Sequence, residues 1–399
     1  MKDIHLFRAA TLTLAVAAVA GFGALWSPAV PAGARPPGVG EGLKPIAMIP
    51  FENGTHLEVT TIKGRDYAFA TDVDPGSLRV IDVTVPQKPR VVAKLRCGGF
   101  QGNVQISHDK KTLLIGLDAP SKGGCMPVGQ MGFVTIDISK PSKPRPVGYA
   151  TIERGSHSLA THPSKPYVYN GEGFPETSGE MQVWSIADPA RPKLVTTLDT
   201  GAHSPHDLAF NKDGSMAATA NVVNFHVLDT TNPVDPKIVA TSQCPGCLHT
   251  HEARFTPDGK KVIVNDEYPA APTCPTGGLY FYDLSRDHQL TLTGAYLQGE
   301  KGANANNEAG FCTPHVFDIS EDGMKLATSW HTAGIKYLDI SDTSGITVGA
   351  EQVVPGGPKE LGWYANRGGD AFTAKLHEGP YIYTVDVRLG FQIFKIDRP

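Results

Sequence analysis

Five histidines occupy one repeated position in this chain, and they are the residues best placed to do chemistry. His56, His157, His206, His251 and His315 each lie eight residues before a turn position, held by Gly64, Lys165, Gly214, Gly259 and Gly323. Histidine is only 14 of 399 residues, so five coincidences at one offset do not follow from composition. Neutral imidazole is the commonest protein ligand for late first-row metals, and zinc, copper and iron sites commonly use three or four of them. The five are therefore read as a transition-metal ligand set, to which zinc, copper and iron are all suited. The residues after each histidine differ (HLEV, HSLA, HDLA, HEAR, HVFD), so the imidazole persists where its surroundings have diverged.

Further groups fall near the same position. His203 precedes His206 by three residues, His249 precedes His251 by two, His331 lies in SWHTAG and Glu267 in NDEYPA. These four are candidate catalytic residues, as proton carriers or substrate contacts, with Glu172 in GEGF as a weaker one. Asp207 and Glu252 directly follow their histidines and must point the other way on a strand. His108, His162 and His377 fall at the opposite turns and are expected on the surface, and His226 reads as structural. Two repeats lack the histidine and carry Gly102 and Ala371 (beside Asp370) instead.

The position has meaning only within the repeat that creates it. LRVIDVTVPQKPRVVAKL begins at Leu78, GFVTIDISKPSKPRPVGYA at Gly132, MQVWSIADPARPKLVTTL at Met181 and FHVLDTTNPVDPKIVATS at Phe225. Weaker copies are LYFYDLSRDHQLTLTGAYL from Leu279, IKYLDISDTSGITVGAEQV from Ile335 and FQIFKIDRP from Phe391. The spacing is roughly 45–55 residues, the period of a propeller blade. Each copy reads as strand, proline-bounded turn, strand. Two more strands precede it, joined by turns such as Asp213-Gly214, Asp258-Gly259 and Asp322-Gly323. Four strands in each of seven units predict an all-β, seven-bladed β-propeller. The histidines then begin the innermost strands and ring one mouth of the central channel. The last copy lacks its fourth strand, and LKPIAMIPF from Leu43 supplies one, so the N-terminal strand is expected to complete the last blade. The VIDVTVPQKP, TIDISKPSKP and VLDTTNPVDP segments resemble the LVIVD repeat of bacterial β-propeller proteins. That resemblance covers essentially all of the chain after the leader; it implies the fold and is silent on function.

Lys2, Arg8, the apolar run from Ala9 to Trp26 and Ala32-Gly33-Ala34 read as a secretory signal over 1–34. A flexible Pro/Gly tail over 35–42 and a single propeller domain over 43–399 follow. All six cysteines lie after the leader, which suggests disulfides in an oxidising compartment. Cys97 and Cys125 flank one blade and are expected to pair. Cys244, Cys247, Cys274 and Cys312 are expected to form two more bridges, with the pairing open. The CxxC of CPGCLHTH could alternatively hold zinc or copper; Leu248 after Cys247 rules out a c-type haem attachment. The net charge of −4 gives no basic patch for nucleic acid or acidic membrane. No phosphate-binding loop, dinucleotide fingerprint or nucleophile elbow is present.

Two function classes follow. The first is a secreted, monomeric, metal-dependent oxidoreductase acting on a small-molecule substrate, with a zinc hydrolase or lyase as the less favoured chemistry. Histidine-only shells of this kind resemble the iron site of carotenoid-cleaving oxygenases and the copper centres of nitrous oxide reductase and of copper-dependent thiol oxidases. The second is a non-catalytic propeller that binds an extracellular protein or glycan partner.

Overall fold

The computed structural model describes residues 38–73, 76–97, 102–173, 176–267, 277–299 and 311–397. The expected leader and Cys274 lie outside these. Seven small sheets, built almost wholly from antiparallel pairs, surround one axis as the blades of a β-propeller. Blade 1 spans residues 54–96, blade 2 104–151, blade 3 158–199, blade 4 207–242, blade 5 250–297 and blade 6 317–366. Blade 7 takes residues 371–396 from the C-terminal end and Leu43–Ile49 from the N-terminal end. Lys44 stands opposite Lys395 and Pro45 opposite Phe394. The ring is thus closed by the N-terminal strand, which leaves no edge between first and last blade.

The middle strands are apolar without alternation because both faces are buried between blades. In Thr112–Leu117, Leu113 and Ile115 pack with Phe69, Leu78 and Val80 of blade 1. Leu114 points the other way, to Leu159, Val168 and Trp184 of blade 3. Seven such clusters, one per blade junction, form the core. Each fully buried Leu, Ile or Phe contributes about 1.5–3 kcal/mol. The repeat aspartate holds the turn after the third strand by accepting a backbone N–H two residues on: Asp82 from Thr84, Asp137 from Ser139, Asp229 from Thr231 and Asp339 from Ser341. In six of the seven blades the first hairpin turns at positive φ, at Gly64, Lys110, Gly214, Gly259, Gly323 and Gly379. That common turn keeps the count back to the histidine position constant.

Two boundaries differ from expectation. Gly38–Glu41, expected within a flexible tail, is a strand on the outer edge of blade 6, where it finds backbone partners along Trp363–Asn366. The fourth strand of blade 6 is Lys359–Asn366, not the ITVGAEQV segment. Ile346–Val348 and Glu351–Val354 form a hairpin that instead extends the outer edge of blade 5, parallel to Leu290–Leu297. The blade-6 repeat thus carries an inserted hairpin, and the strand resumes after Pro355-Gly356-Gly357-Pro358.

Cys97–Cys125 is bridged, as is Cys244–Cys247, the local pairing of the CPGC segment. Cys312 is also disulfide-bonded. Bridges of this kind persist in oxidising compartments. Among the described residues, no helix is long and apolar enough to cross a membrane.

Candidate metal centre

The five histidines begin innermost strands at one mouth of the channel, but they do not converge on one point. His157, His206, His251 and His315, supplied by blades 3 to 6, form a continuous arc. Successive ring centroids are 4.3, 4.5 and 4.2 Å apart. His331, at the end of the second strand of blade 6, continues the arc 5.0 Å from His315. Its backbone sits at φ 38°, a left-handed conformation that a non-glycine residue holds only when its surroundings impose it. His56 stands apart. Its ring is 6.5 Å from His315, and it packs edge-on against Phe372 at 5.5 Å.

Carboxylates brace the arc. Nδ1 of His157 donates to Asp118 at 2.6 Å, Nδ1 of His206 to Glu176 at 2.6 Å and Nδ1 of His331 to Asp370 at 2.8 Å. Nδ1 of His315 donates to the backbone carbonyl of Phe372 at 2.7 Å. An imidazole held this way presents its Nε2 in a fixed direction, the arrangement found around metal-bound histidines. The Nε2 atoms of His157 and His206 meet at 3.3 Å. With His157 held protonated by Asp118, its Nε2–H donates to Nε2 of His206, and a metal ion taking the place of that proton would meet the same two nitrogens. Glu267 reaches into the other end of the arc, 3.1 Å from Nε2 of His331 and 3.8 Å from Nε2 of His251. Nδ1 of His251 and Nε2 of His249 are buried without a hydrogen-bond partner.

The electrostatics follow from these contacts. Burial lowers the His157 pKa, but the hydrogen bond and charge of Asp118 outweigh it and hold the group at about 9. Burial acts likewise on His331, and Asp370 and Glu267 together hold it at about 9. His315, buried and beside His331, falls to about 3, and His249 falls to about 4 from burial and the neighbouring His206. His251 falls well below the usual imidazole range, from burial and then the imidazoles on either side. Burial raises Glu176 and Glu267, but the charge of His206 on the first and the His331 hydrogen bond on the second keep both ionised.

Three overlapping sets bring two imidazoles and one carboxylate within mutual reach: His157–Glu176–His206, His206–His251–Glu267 and Glu267–His315–His331. Ligand atoms in each lie within 4.8 Å of one another. Two donors at about 2.0–2.1 Å from one ion stand at most about 4.2 Å apart. No single set joins both ends, so one ion cannot take the whole arc. His56 belongs to none of these sets.

Of the candidate catalytic residues, Glu267 and His331 lie in the arc itself. His249 stacks edge-on to His206 at 4.6 Å. Its segment is tied to blade 5 by the N–H groups of Leu248 and His249, both donating to Asp266 at 2.9 Å. His203 is turned onto the Glu176 backbone carbonyl at 3.0 Å, outside the clustered sets. Glu172 lies outside them too, buried 3.9 Å from Arg154. His226 is structural as expected, bonded to Thr241 and Thr200. His162 is not a surface residue: it is buried, accepts the N–H groups of Ser164 and Lys165, and fills the space beside Phe210.

Asp118, Glu176 and Asp370 as braces escape the sequence. Their signal is positional: Asp118 and Glu176 lie in loops after a second strand, Asp370 immediately before an inner strand, and each serves the histidine of a neighbouring blade. Asp207 and Glu252 point away from the arc, as the strand alternation requires. Glu252 holds blade 6 through the Phe317 N–H at 2.9 Å and pairs with Arg254. Lys375 and Glu58, 2.7 Å apart, complete a charged layer that lines a channel cavity of about 10 Å3 with His56 and Asp207. A volume of that order admits about one water molecule.

No family model matches this chain, and no curated protein matches it. Solved structures share its fold. Hydrazine synthase of Kuenenia stuttgartiensis superposes with a TM-score of 0.64 at 12% identity, over 86% of this chain and 94% of that one. The β-propeller domain of Cps50 (Swd1) from Myceliophteria thermophila gives 0.60 at 12% identity, over 88% and 99%. A functionally unknown protein from Desulfotomaculum acetoxidans gives 0.57 at 15% identity, over 77% and 89%. These likenesses extend to the fold alone.

Proposed function

We propose that this chain is an exported propeller whose buried histidine arc binds late first-row transition metal, copper or iron before zinc, and serves an oxidoreductase acting on a small molecule. The observation that carries the proposal is the pair of Nε2 atoms of His157 and His206, 3.3 Å apart, each imidazole braced from behind by a carboxylate. Two nitrogens bound at right to tetrahedral angles on one ion stand about 2.9–3.4 Å apart, so the pair has the spacing of neighbouring ligands. The unpartnered Nε2 of His249, whose ring lies edge-on to His206, supports the same conclusion, because buried polar atoms are seldom left unpaired.

Copper or iron supplies one-electron chemistry at such a site. The chain's own residues orient and insulate it. Asp118, Glu176 and Asp370 fix the imidazole rings. Glu267, kept ionised beside His331, offers a carboxylate oxygen to an ion, and His249 offers an unpaired nitrogen at the edge of the arc. The arc histidines are 3–6% exposed, which excludes bulk water. Export rests on the leader-like first 34 residues together with the disulfides. The slightly acidic balance offers no basic face for a nucleic-acid partner.

The test is metal analysis of untagged protein secreted through its own leader, with visible and paramagnetic spectra to separate copper and iron from zinc, and oxygen uptake with reducing small molecules. Tightly held copper or iron with turnover is expected. Protein that is metal-free, and takes up neither metal after reconstitution, would overturn the proposal.

A further inference from the structure

We infer that the arc is a two-ion centre, with one ion held by His157 and His206 and a second by His315, His331 and Glu267. This rests on the metal-binding reading above and extends it to stoichiometry and to the division of labour along the arc.

The alternative is a single ion in the middle, on His206, His251 and Glu267, which is also a geometrically possible set. Two features favour the ends. The first is bracing. All four end histidines have Nδ1 fixed on an acceptor: Asp118, Glu176, the Phe372 carbonyl and Asp370. His251, the central one, has its Nδ1 buried with no partner. Its brace would come from the loop of blade 4, by analogy with Asp118 and Glu176 for their neighbours. That loop reads Asn221-Val222-Val223-Asn224 and holds no acid.

The second feature is spacing. At one end the closest donor atoms are 3.3 Å apart (His157 and His206), and at the other 3.1 Å (His331 and Glu267). Both are hydrogen-bonded contacts in the metal-free chain, and both also fall in the range for neighbouring ligands about 2.0–2.1 Å from one ion. In the centre, His251 and Glu267 are 3.8 Å apart, which is wide for neighbouring ligands.

Charge agrees with two ions. Asp118, Glu176, Glu267 and Asp370 have side chains 1%, 3%, 9% and 17% exposed. Two divalent cations would offset these four carboxylates, in place of the protons that His157 and His331 carry in the metal-free chain, and buried charge is tolerated only when paired.

The ends differ in chemistry. In the first, Glu176 is engaged on Nδ1 of His206, so the donors turned to an ion are two imidazole nitrogens, a set that suits copper. The second offers two imidazoles and a carboxylate, the donor set typical of non-haem iron(II). The geometry therefore points to two unlike positions, with His251 packed between them, 4.5 Å from His206 and 4.2 Å from His315 by ring centroids.

The test is titration of the chelator-stripped full chain with Cu(II), and separately with Co(II) as an optical stand-in for iron(II), with bound metal counted after gel filtration. Two equivalents are expected. His157→Ala should leave one equivalent, His331→Ala should leave the other, and His251→Ala should keep two. Should either alanine variant fail to fold, by circular dichroism and melting, Asp118→Asn and Asp370→Asn replace them, each weakening only the ion at its own end by about 10–100-fold. One equivalent that survives His157→Ala and His331→Ala but is lost in His251→Ala would overturn the two-ion centre and leave the metal reading intact. No bound metal at all would overturn both.

Discussion

The channel mouth is built from seven equivalent strand starts, yet its two halves have become different things. Blades 3 to 6 present buried imidazoles in close succession. Blades 7, 1 and 2 present Ala371, His56 and Gly102, with the Phe372 ring 3.9 Å from His315 closing the arc. The backbone position is the same in both halves, and so is the turn that sets it. They differ in the residue at that position, which is histidine in only one of blades 7, 1 and 2, and in what the neighbouring blade's loop contributes. Blade 2 gives Asp118 to His157, blade 3 gives Glu176 to His206, blade 5 gives Glu267 to the arc and the start of blade 7 gives Asp370 to His331. His56 is only half-buried and meets an aromatic ring. A histidine at the repeated position is therefore insufficient by itself to join the arc.

That contrast is easiest to break by removing one histidine from each half. His331→Ala should lower affinity for metal at its end by 100-fold or more, whereas His56→Ala should leave metal content and affinity unchanged. Equilibrium dialysis against competing chelators measures both. Equal losses would erase the distinction between the halves.

The next largest effect is on stability against pH in the metal-free chain. His157 and His331 are at about 9 when folded, against 6.5 unfolded. Their stabilisation is therefore fully present below pH 6.5 and is lost as pH rises through about 9. A shift of that size corresponds to about 3 kcal/mol for each group. His249 and His315 are at about 4 and about 3 when folded. The unfolded chain takes up their protons first, so stability also falls as pH drops below 6.5. Denaturant unfolding from pH 4 to 10 should show a maximum near pH 6.5, with the alkaline limb reduced in Asp118→Asn. A profile flat above pH 6.5 would contradict the bracing.

The propeller itself was legible from sequence. The Asp-Pro-Pro repeat, the Asp-Gly turns and the missing last strand all reflect local backbone requirements that recur blade by blade. The histidine positions were legible for the same reason, since a fixed turn fixes the count back to the inner strand. The braces were not. Asp118, Glu176 and Asp370 act on histidines 30 to 39 residues away, from loops that do not repeat. The unity of the five-histidine set also failed. Equivalent positions on a ring share an axis, but ligands must share a point, and His56, with its ring 6.5 Å from that of His315, falls in none of the ligand sets. The fourth strand of blade 6 is not legible because an inserted hairpin begins where the repeat places that strand.

Smaller effects probe how the arc is held. Asp118→Asn should weaken metal at the His157 end by about 10–100-fold and leave the His331 end unchanged. Metal-specific absorption bands during titration would resolve the two. Smallest of all is the blade-4 loop that lacks an acid. Val222 there adopts φ 63°, costly for a β-branched residue, while pairing with Thr250 beside His251. Val222→Gly should stabilise the chain by about 1 kcal/mol without changing metal affinity, measured by thermal melting with and without metal.

The most direct test is an anomalous difference map from a crystal of the as-isolated chain, recorded at the absorption edges of copper, iron and zinc. The account predicts peaks against Nε2 of His157 and His206 and against Glu267 and His331, with none beside His56. A map empty along the arc, or a single peak at His56, would contradict it.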